Sequence, residues 1–309
     1  MTPRASATAV RPHADNIPKG IALMLLAYLL FSFTDTSVKW LGLAGIPALQ
    51  LAFMRFFTHL ALSSGPVVRH PQMLVTPRKQ MIQLLLRGGL LLISTVANFL
   101  ALAYLDLTVT AAIMFSAPIM VCALSAPVLG ERVGPWRWTA ILVGFLGVLL
   151  VVRPWSAAFH PAVFFSLTAA TAFALFSIMT RQMSGVVSPR VMQVYVGVVG
   201  ATALLPAAIW MWQSPVTGSD WILLVCVGAF AWGGHHFFNL AHGYAPASAL
   251  MPFTYSFLIY LTAWGYLVFG TVPDQQTILG AMTISLAGLV IWWRERRGPT
   301  GAPPGRGNP

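Results

Sequence analysis

Charge is what this chain has least of. Asp, Glu, Lys and Arg make up 8% of its 309 residues, and only seven residues are acidic. A soluble domain carries about 25% charged residues, so a water-facing surface over a chain of this length is excluded. Cysteine is nearly absent. Cys122 and Cys226 both lie in apolar stretches, so neither a disulfide framework nor a metal cluster is expected. No Gly-x-x-x-x-Gly-Lys-Ser/Thr stretch occurs, which removes a nucleotide-driven pump of the P-loop kind. The first apolar run, after Lys19, lacks a small-residue cleavage site at its end and therefore reads as a retained helix.

What the chain does have is apolar sequence: 57% of residues, with a mean hydropathy of +0.76. Runs such as 139–152 are continuous, not alternating, which excludes a β-barrel. A crossing helix needs roughly 20 apolar residues. Ten candidates follow: 20–41, 46–65, 83–104, 108–129, 136–153, 162–181, 190–212, 220–240, 246–269 and 276–293. The expected fold is an all-α membrane protein of ten transmembrane helices, with the lipid bilayer as its surroundings.

The net charge of +11 is a topology signal and not a nucleic-acid one. With the N-terminus in the cytoplasm, fifteen of the eighteen Lys and Arg residues fall on the cytoplasmic side, Arg87 counted among them. The opposite edge receives Lys39 and Arg153, and Arg55 falls inside the second span. This bias predicts both termini inside.

A pattern of roughly 140 residues is written twice. Residues 98–119 read NFLALAYLDLTVTAAIMFSAPI, and residues 236–257 read HFFNLAHGYAPASALMPFTYSF. Lys39 matches Arg181, Tyr104 matches His242, Phe115 matches Phe253 and Gly147 matches Gly288. Five spans per copy is an odd number, so the second copy starts on the opposite side. Lys39 at the outer edge and Arg181 at the inner edge fit that inversion. The expected organisation is a cytoplasmic tail over 1–19, repeats over 20–153 and 162–293, and a cytoplasmic tail over 294–309. Inverted halves supply a reason for alternating access around a central site.

The stretch 111–151, AAIMFSAPIMVCALSAPVLGERVGPWRWTAILVGFLGVLLV, carries a proline in span four, a Gly-Glu pair at its end and a glycine-bearing fifth span. With Lys39 closing span one and Arg55 in span two, this order resembles the EamA-like branch of the drug/metabolite transporter superfamily over residues 20–293. The resemblance implies a bacterial inner-membrane carrier of small metabolites, with amino-acid exporters as the expected branch. Import or exchange of nucleosides or sugar phosphates is the alternative. Two departures stand out. The second half lacks a match to Glu131, its corresponding stretch reading GTVPDQQ, and Thr139 stands opposite Gly280 in the repeat alignment.

The candidate site residues are the polar and aromatic groups inside spans. Asp35 lies in span one, where an ionised carboxylate needs a solvent or a partner. It is read either as a group meeting a substrate amine or a proton, or as a partner of Lys39 four residues on. Asn98 and Tyr104 in span three, and Trp232, His235 and Asn239 in span eight, offer donors and aromatic walls for a zwitterion. Spacings of three and four put Trp232, His235, Asn239 and His242 on one helical face. An interhelical hydrogen-bond network is the alternative for that face. Phe115, Phe253 and Tyr255 are candidate lining. Lys39, Arg55, Glu131 and His242 are assigned to gating or charge balance, with His59 sharing the Arg55 face. Pro118 and Pro252 are expected to bend spans four and nine. No cofactor and no metal is expected, proton coupling is left open, and a monomer is expected to suffice. An intramembrane enzyme needs paired reactive groups at one depth. Asp35 is the one acid clearly within a span, so the chain is not expected to be an enzyme.

Overall fold

The structure, a computed structural model, describes residues 16–69, 71–117, 119–121, 123–124, 135–156, 159–183, 186–245 and 250–297. Among them are ten α-helices: α1 Ile17–Leu43, α2 Ala48–Arg69, α3 Arg78–Leu102, α4 Leu107–Met114, α5 Pro135–Val152, α6 Val163–Met183, α7 Pro189–Trp210, α8 Gly218–Tyr244, α9 Ser256–Phe269 and α10 Gln275–Arg297. A 3₁₀ turn over Met251–Tyr255 leads into α9. The described residues contain no strand.

Local chemistry sets several helix starts. Asn16 accepts the Lys19 amide at 3.1 Å ahead of α1. Ser188 precedes Pro189 at the first position of α7, and Thr217 accepts the Asp220 amide at 3.2 Å ahead of α8. Helix α9 ends at Gly270, which takes the left-handed conformation (φ 67°) that a side chain would strain.

Five helices (α1, α3, α6, α7 and α8) are long and apolar enough to cross a membrane by length and composition, and α4, α5, α9 and α10 carry shorter apolar stretches. Their outer faces are apolar as well: Leu142, Phe145 and Leu146 on α5 and Met282 and Leu286 on α10 are exposed. The polar side chains Ser32, Arg55, His59 and Arg87 are buried instead. Water would favour the reverse arrangement, whereas a hydrocarbon surround favours this one.

Helix pairing follows the repeat. Helix α1 packs on α8 and α6 packs on α3; α2 packs on α8 and α7 on α3; α1 packs on α9 and α6 on α4. The pairs α2·α7, α4·α9 and α5·α10 join equivalent helices of the two halves. Each of these contacts has its counterpart under exchange of the halves, the pairing an inverted repeat generates. The α5·α10 seam is closed by glycine. A Cβ on Gly147 would lie 2.9 Å from the Gly280 carbonyl oxygen, and one on Gly280 would lie 2.7 Å from that of Gly147. Small residues at such crossings let backbones touch.

Candidate functional site

The polar groups converge where α1, α2, α3 and α8 meet. Helix α8 comes close to α2 because Gly228 has no side chain: a Cβ there would sit 2.7 Å from the Arg55 carbonyl oxygen. That approach carries His235, two turns further on, into the interior.

Asp35 projects from α1 towards α3, where the Asn98 side-chain amide donates to both carboxylate oxygens at 3.3 Å. The Asn98 Oδ1 is buried and has no hydrogen-bond partner among the described residues. Arg55 on α2 donates through Nη1 to Thr95 Oγ1 on α3 at 2.8 Å and lies within electrostatic reach of Asp35. One turn along α2, His59 Nε2 meets Gln193 Oε1 of α7 at 2.9 Å. The His235 ring packs edge-on against Phe31, 5.0 Å between centroids, and lies 6.0 Å from the His59 ring. Trp264 of α9 donates to Ser32 Oγ at 3.0 Å, tying the second half onto α1 below Asp35. Three helices, α1, α2 and α8, therefore present charged or imidazole groups to one interior, and α3 adds the Asn98 amide and the Thr95 hydroxyl.

Lys39, the alternative partner for Asp35, is used elsewhere. Its ammonium donates to the Leu105 carbonyl at 2.7 Å and to that of Leu102 at 3.5 Å, at the C-terminal end of α3. A cation there complements the free carbonyls of the helix end.

The four residues grouped on one face of α8 divide in the structure. His235 faces the polar interior, Trp232 stacks on His236 at 5.3 Å, and Asn239 is exposed. Tyr104 lies past the end of α3, exposed and stacked on His160 at 5.3 Å. Phe115 and Tyr255 pack 5.2 Å apart between α4 and α9, and Phe253 packs against the cluster around Met24 and Leu250. Pro118 and Glu131 lie outside the described residues, as do the side chains of His242 and Pro252.

Sequence reading did not single out Thr95, Gln193, Ser32 or Trp264. Each is an ordinary residue type that gains its role from a neighbour on another helix. Arg87 was countable as a flank charge, but the structure buries it inside α3. Its setting in the apolar run LLLRGGLL was the available signal. No group of three or more potential metal ligands occurs among the described residues.

The site is a membrane-buried polar interior with a carboxylate, a guanidinium and paired imidazoles, enclosed by two similar halves. Such an arrangement can hold a small polar solute away from lipid. The profile of the EamA-like transporter family matches the chain twice, over residues 18–153 and 160–293. The S-adenosylmethionine uptake transporter of Rickettsia prowazekii is 27% identical over 278 residues, spanning 90% of this chain and 94% of that protein. The riboflavin transporter of Vibrio cholerae is 28% identical over 288 residues, 90% of this chain and 95% of its own. The pseudopaline exporter of Pseudomonas aeruginosa is 27% identical over 286 residues, 90% and 97% respectively. A solved structure with 17% sequence identity superposes with a TM-score of 0.63 over 92% of this chain and 99% of that one, a likeness of fold. The family and these relatives are transporters, so the activity is transport and not catalysis. With its paired five-helix halves and buried polar interior, this chain belongs to the EamA-like transporter family of the drug/metabolite transporter superfamily, as a multi-pass membrane protein that moves small molecules.

Proposed function

We propose that this protein exports small zwitterionic metabolites, amino acids first among them, across the bacterial inner membrane by alternating access. The observation that carries this reading is the Asp35–Asn98 pair. A carboxylate and an orphaned amide oxygen, side by side in a bundle interior, form an acceptor pair suited to a substrate ammonium group. Arg55 balances Asp35 when no substrate is bound, and His235 forms a wall beside them. Trp232, Asn239, Tyr104, Phe115, Phe253 and Tyr255 are the further contacts proposed for the cargo as it passes. Lys39, Glu131 and His242 act at the gates, and Pro118 and Pro252 at the bends.

All ten helices span the bilayer, with both termini in the cytoplasm, as the basic bias supports. The halves 20–153 and 162–293 rock against one another, so the interior opens to each side in turn. One chain is sufficient for this cycle. A substrate gradient, an exchanged solute or protons supply the energy, with Asp35 and the histidines as the groups able to exchange a proton.

Uptake of a different metabolite is the second reading, favoured by relatives named for S-adenosylmethionine uptake and riboflavin transport. S-adenosylmethionine itself bears an α-amino carboxylate, so it fits the same acceptor pair. The test is counterflow into proteoliposomes preloaded with amino acids, nucleosides or sugar phosphates, with and without a proton gradient. Exchange of amino acids and of no other class supports the proposed cargo. Exchange confined to nucleosides or sugar phosphates rejects it. Flux in cells expressing the protein then fixes direction.

A further inference from the structure

Helix α3 carries a second guanidinium that the Asp35 pair does not engage. Arg87 is only 7% exposed. Its Nε donates to Thr180 Oγ1 on α6 at 2.7 Å, and its Nη1 to the Met192 carbonyl on α7 at 3.3 Å. The guanidinium lies 4.2 Å from the centre of the Phe176 ring. These contacts hold the head in place, yet every one of them is neutral. Among the described residues no carboxylate lies within ion-pair distance of it, the ion pair found there being Arg153–Asp274 at the far ends of α5 and α10.

A guanidinium presents five N–H groups, and the described contacts use two. A buried cation with no counter-charge is strongly unfavourable until an anion joins it. Arg55 has Asp35 as its opposite charge; Arg87 has none among the described residues. The Met192 carbonyl that Arg87 meets directly precedes Gln193, the partner of His59, so the guanidinium is held on the same stretch of α7 that borders the polar interior. The missing element is an anion that comes and goes, and a transported solute is such an anion.

We propose that Arg87 is an anion-binding site that takes the carboxylate of the transported metabolite. The proposal rests on the reading of Asp35 and Asn98 as the pole for the cationic end. A planar fork matches a carboxylate through two parallel hydrogen bonds, which an ammonium cannot reproduce. Arg87 and Asn98 are eleven residues apart on α3, about 16 Å along the axis. The interior therefore reads the two ends of its cargo at separate points. An α-amino carboxylate carries both charges on one carbon, so such a cargo meets the two points in succession.

Two matched pairs of probes test this on the purified full-length protein: S-adenosylmethionine with its decarboxylated counterpart, and tyrosine with tyramine. Each pair differs in the carboxylate alone. Affinity is read from ligand-induced thermal stabilisation and from tryptophan fluorescence. Wild type is expected to prefer the carboxylated member of at least one pair by about ten-fold or more. Arg87→Gln erases that preference by weakening the carboxylated probe and leaving the decarboxylated one unchanged. Arg87→Lys, which keeps the charge without the fork, reduces the preference several-fold. Absence of preference in wild type, or an unaltered preference in Arg87→Gln, overturns the proposal. Equal weakening of both members overturns it too, because a purely structural tether behaves that way. Should Arg87→Gln fail to fold, an unaltered preference in Arg87→Lys is the overturning result. Asp35→Asn separates the two readings. If it weakens neither probe, the amine pole fails while the Arg87 result stands.

Discussion

Asn98 donates its side-chain amide to both carboxylate oxygens of Asp35, at 3.3 Å each, across the interface of α1 and α3. The two bonds are long for a charged acceptor, where 2.7–2.9 Å is usual. They orient the carboxylate without saturating it, and the Asn98 oxygen beside it is left without a partner among the described residues. A ligand cation has two acceptors waiting in one place.

Asp35→Asn removes the charge and keeps the shape. Counterflow per folded molecule should fall by at least ten-fold, with folded yield close to wild type. Asn98→Ala should give a smaller loss, since the carboxylate remains. Unchanged flux in both variants removes the pair from the transport path.

His235 and Asn239 lie one turn apart on α8 and differ in setting. His235 packs between Phe31 and His59, while Asn239 is exposed. His235→Ala is expected to cut flux about ten-fold and to lower the melting temperature modestly through lost ring packing. Asn239→Ala should cut flux by less and leave the melting temperature alone. Equal transport by both variants and wild type denies either residue a part in the site.

The α5·α10 seam offers a stability test. A Cβ at Gly147 would meet Ile284 Cγ1 at 2.8 Å and the Gly280 carbonyl oxygen at 2.9 Å, so Gly147→Val must push the helices apart. Overpacking of this kind costs about 1–3 kcal/mol. At Gly89 nothing lies within 4 Å, and Gly89→Ala should be neutral or slightly stabilising. Thermal unfolding in detergent compares them, and a Gly147→Val protein as stable as wild type contradicts the seam.

Arg153, at φ 48°, pairs with Asp274 between the end of α5 and the start of α10, and Asp274 Oδ1 accepts the Thr277 amide at 2.9 Å. The Arg153 hydrogen bond first, and the Thr277 bonds after it, hold the Asp274 carboxyl down at about 2, below the usual 3.8. A lowered carboxyl contributes stability above its unfolded value and loses it as pH falls through the folded one. The contribution is thus whole at pH 7 and disappears between about 4 and about 2. Asp274 is 51% exposed, so solvent screening keeps the effect under about 1 kcal/mol. Melting temperatures of wild type and Asp274→Asn should differ at pH 7 and converge near pH 2. A difference that persists unchanged to pH 2 assigns it to something other than the carboxylate's charge.

The helices were legible in the chain because apolar length and loop residues are local properties. The expected span 20–41 compares with Ile17–Leu43, and 190–212 with Pro189–Trp210. The ninth span was less legible: 246–269 contains the 3₁₀ turn Met251–Tyr255 before Ser256–Phe269. A proline at 252 lacks the amide that a regular helix would use, which favours a break there. Of the polar positions, Asp35, Arg55 and His235 stood out because their residue types are costly in an apolar run. Arg87 was counted as a flank charge because the charge bias weighs only nearness to a span end, and the signal of its apolar neighbours was not used.

By itself the sequence determined the class of molecule, an all-α membrane transporter, and the repeated pattern, since each depends on composition and spacing along one chain. Only the tertiary structure decided which polar groups meet. Asp35 takes Asn98 and not Lys39, His59 takes Gln193, and Arg87 finds neutral partners among the described residues. Partner choice depends on helix rotation and on how closely backbones approach, at Gly228 against Arg55 for instance. Those quantities arise from packing between residues more than sixty positions apart, and no local pattern encodes them.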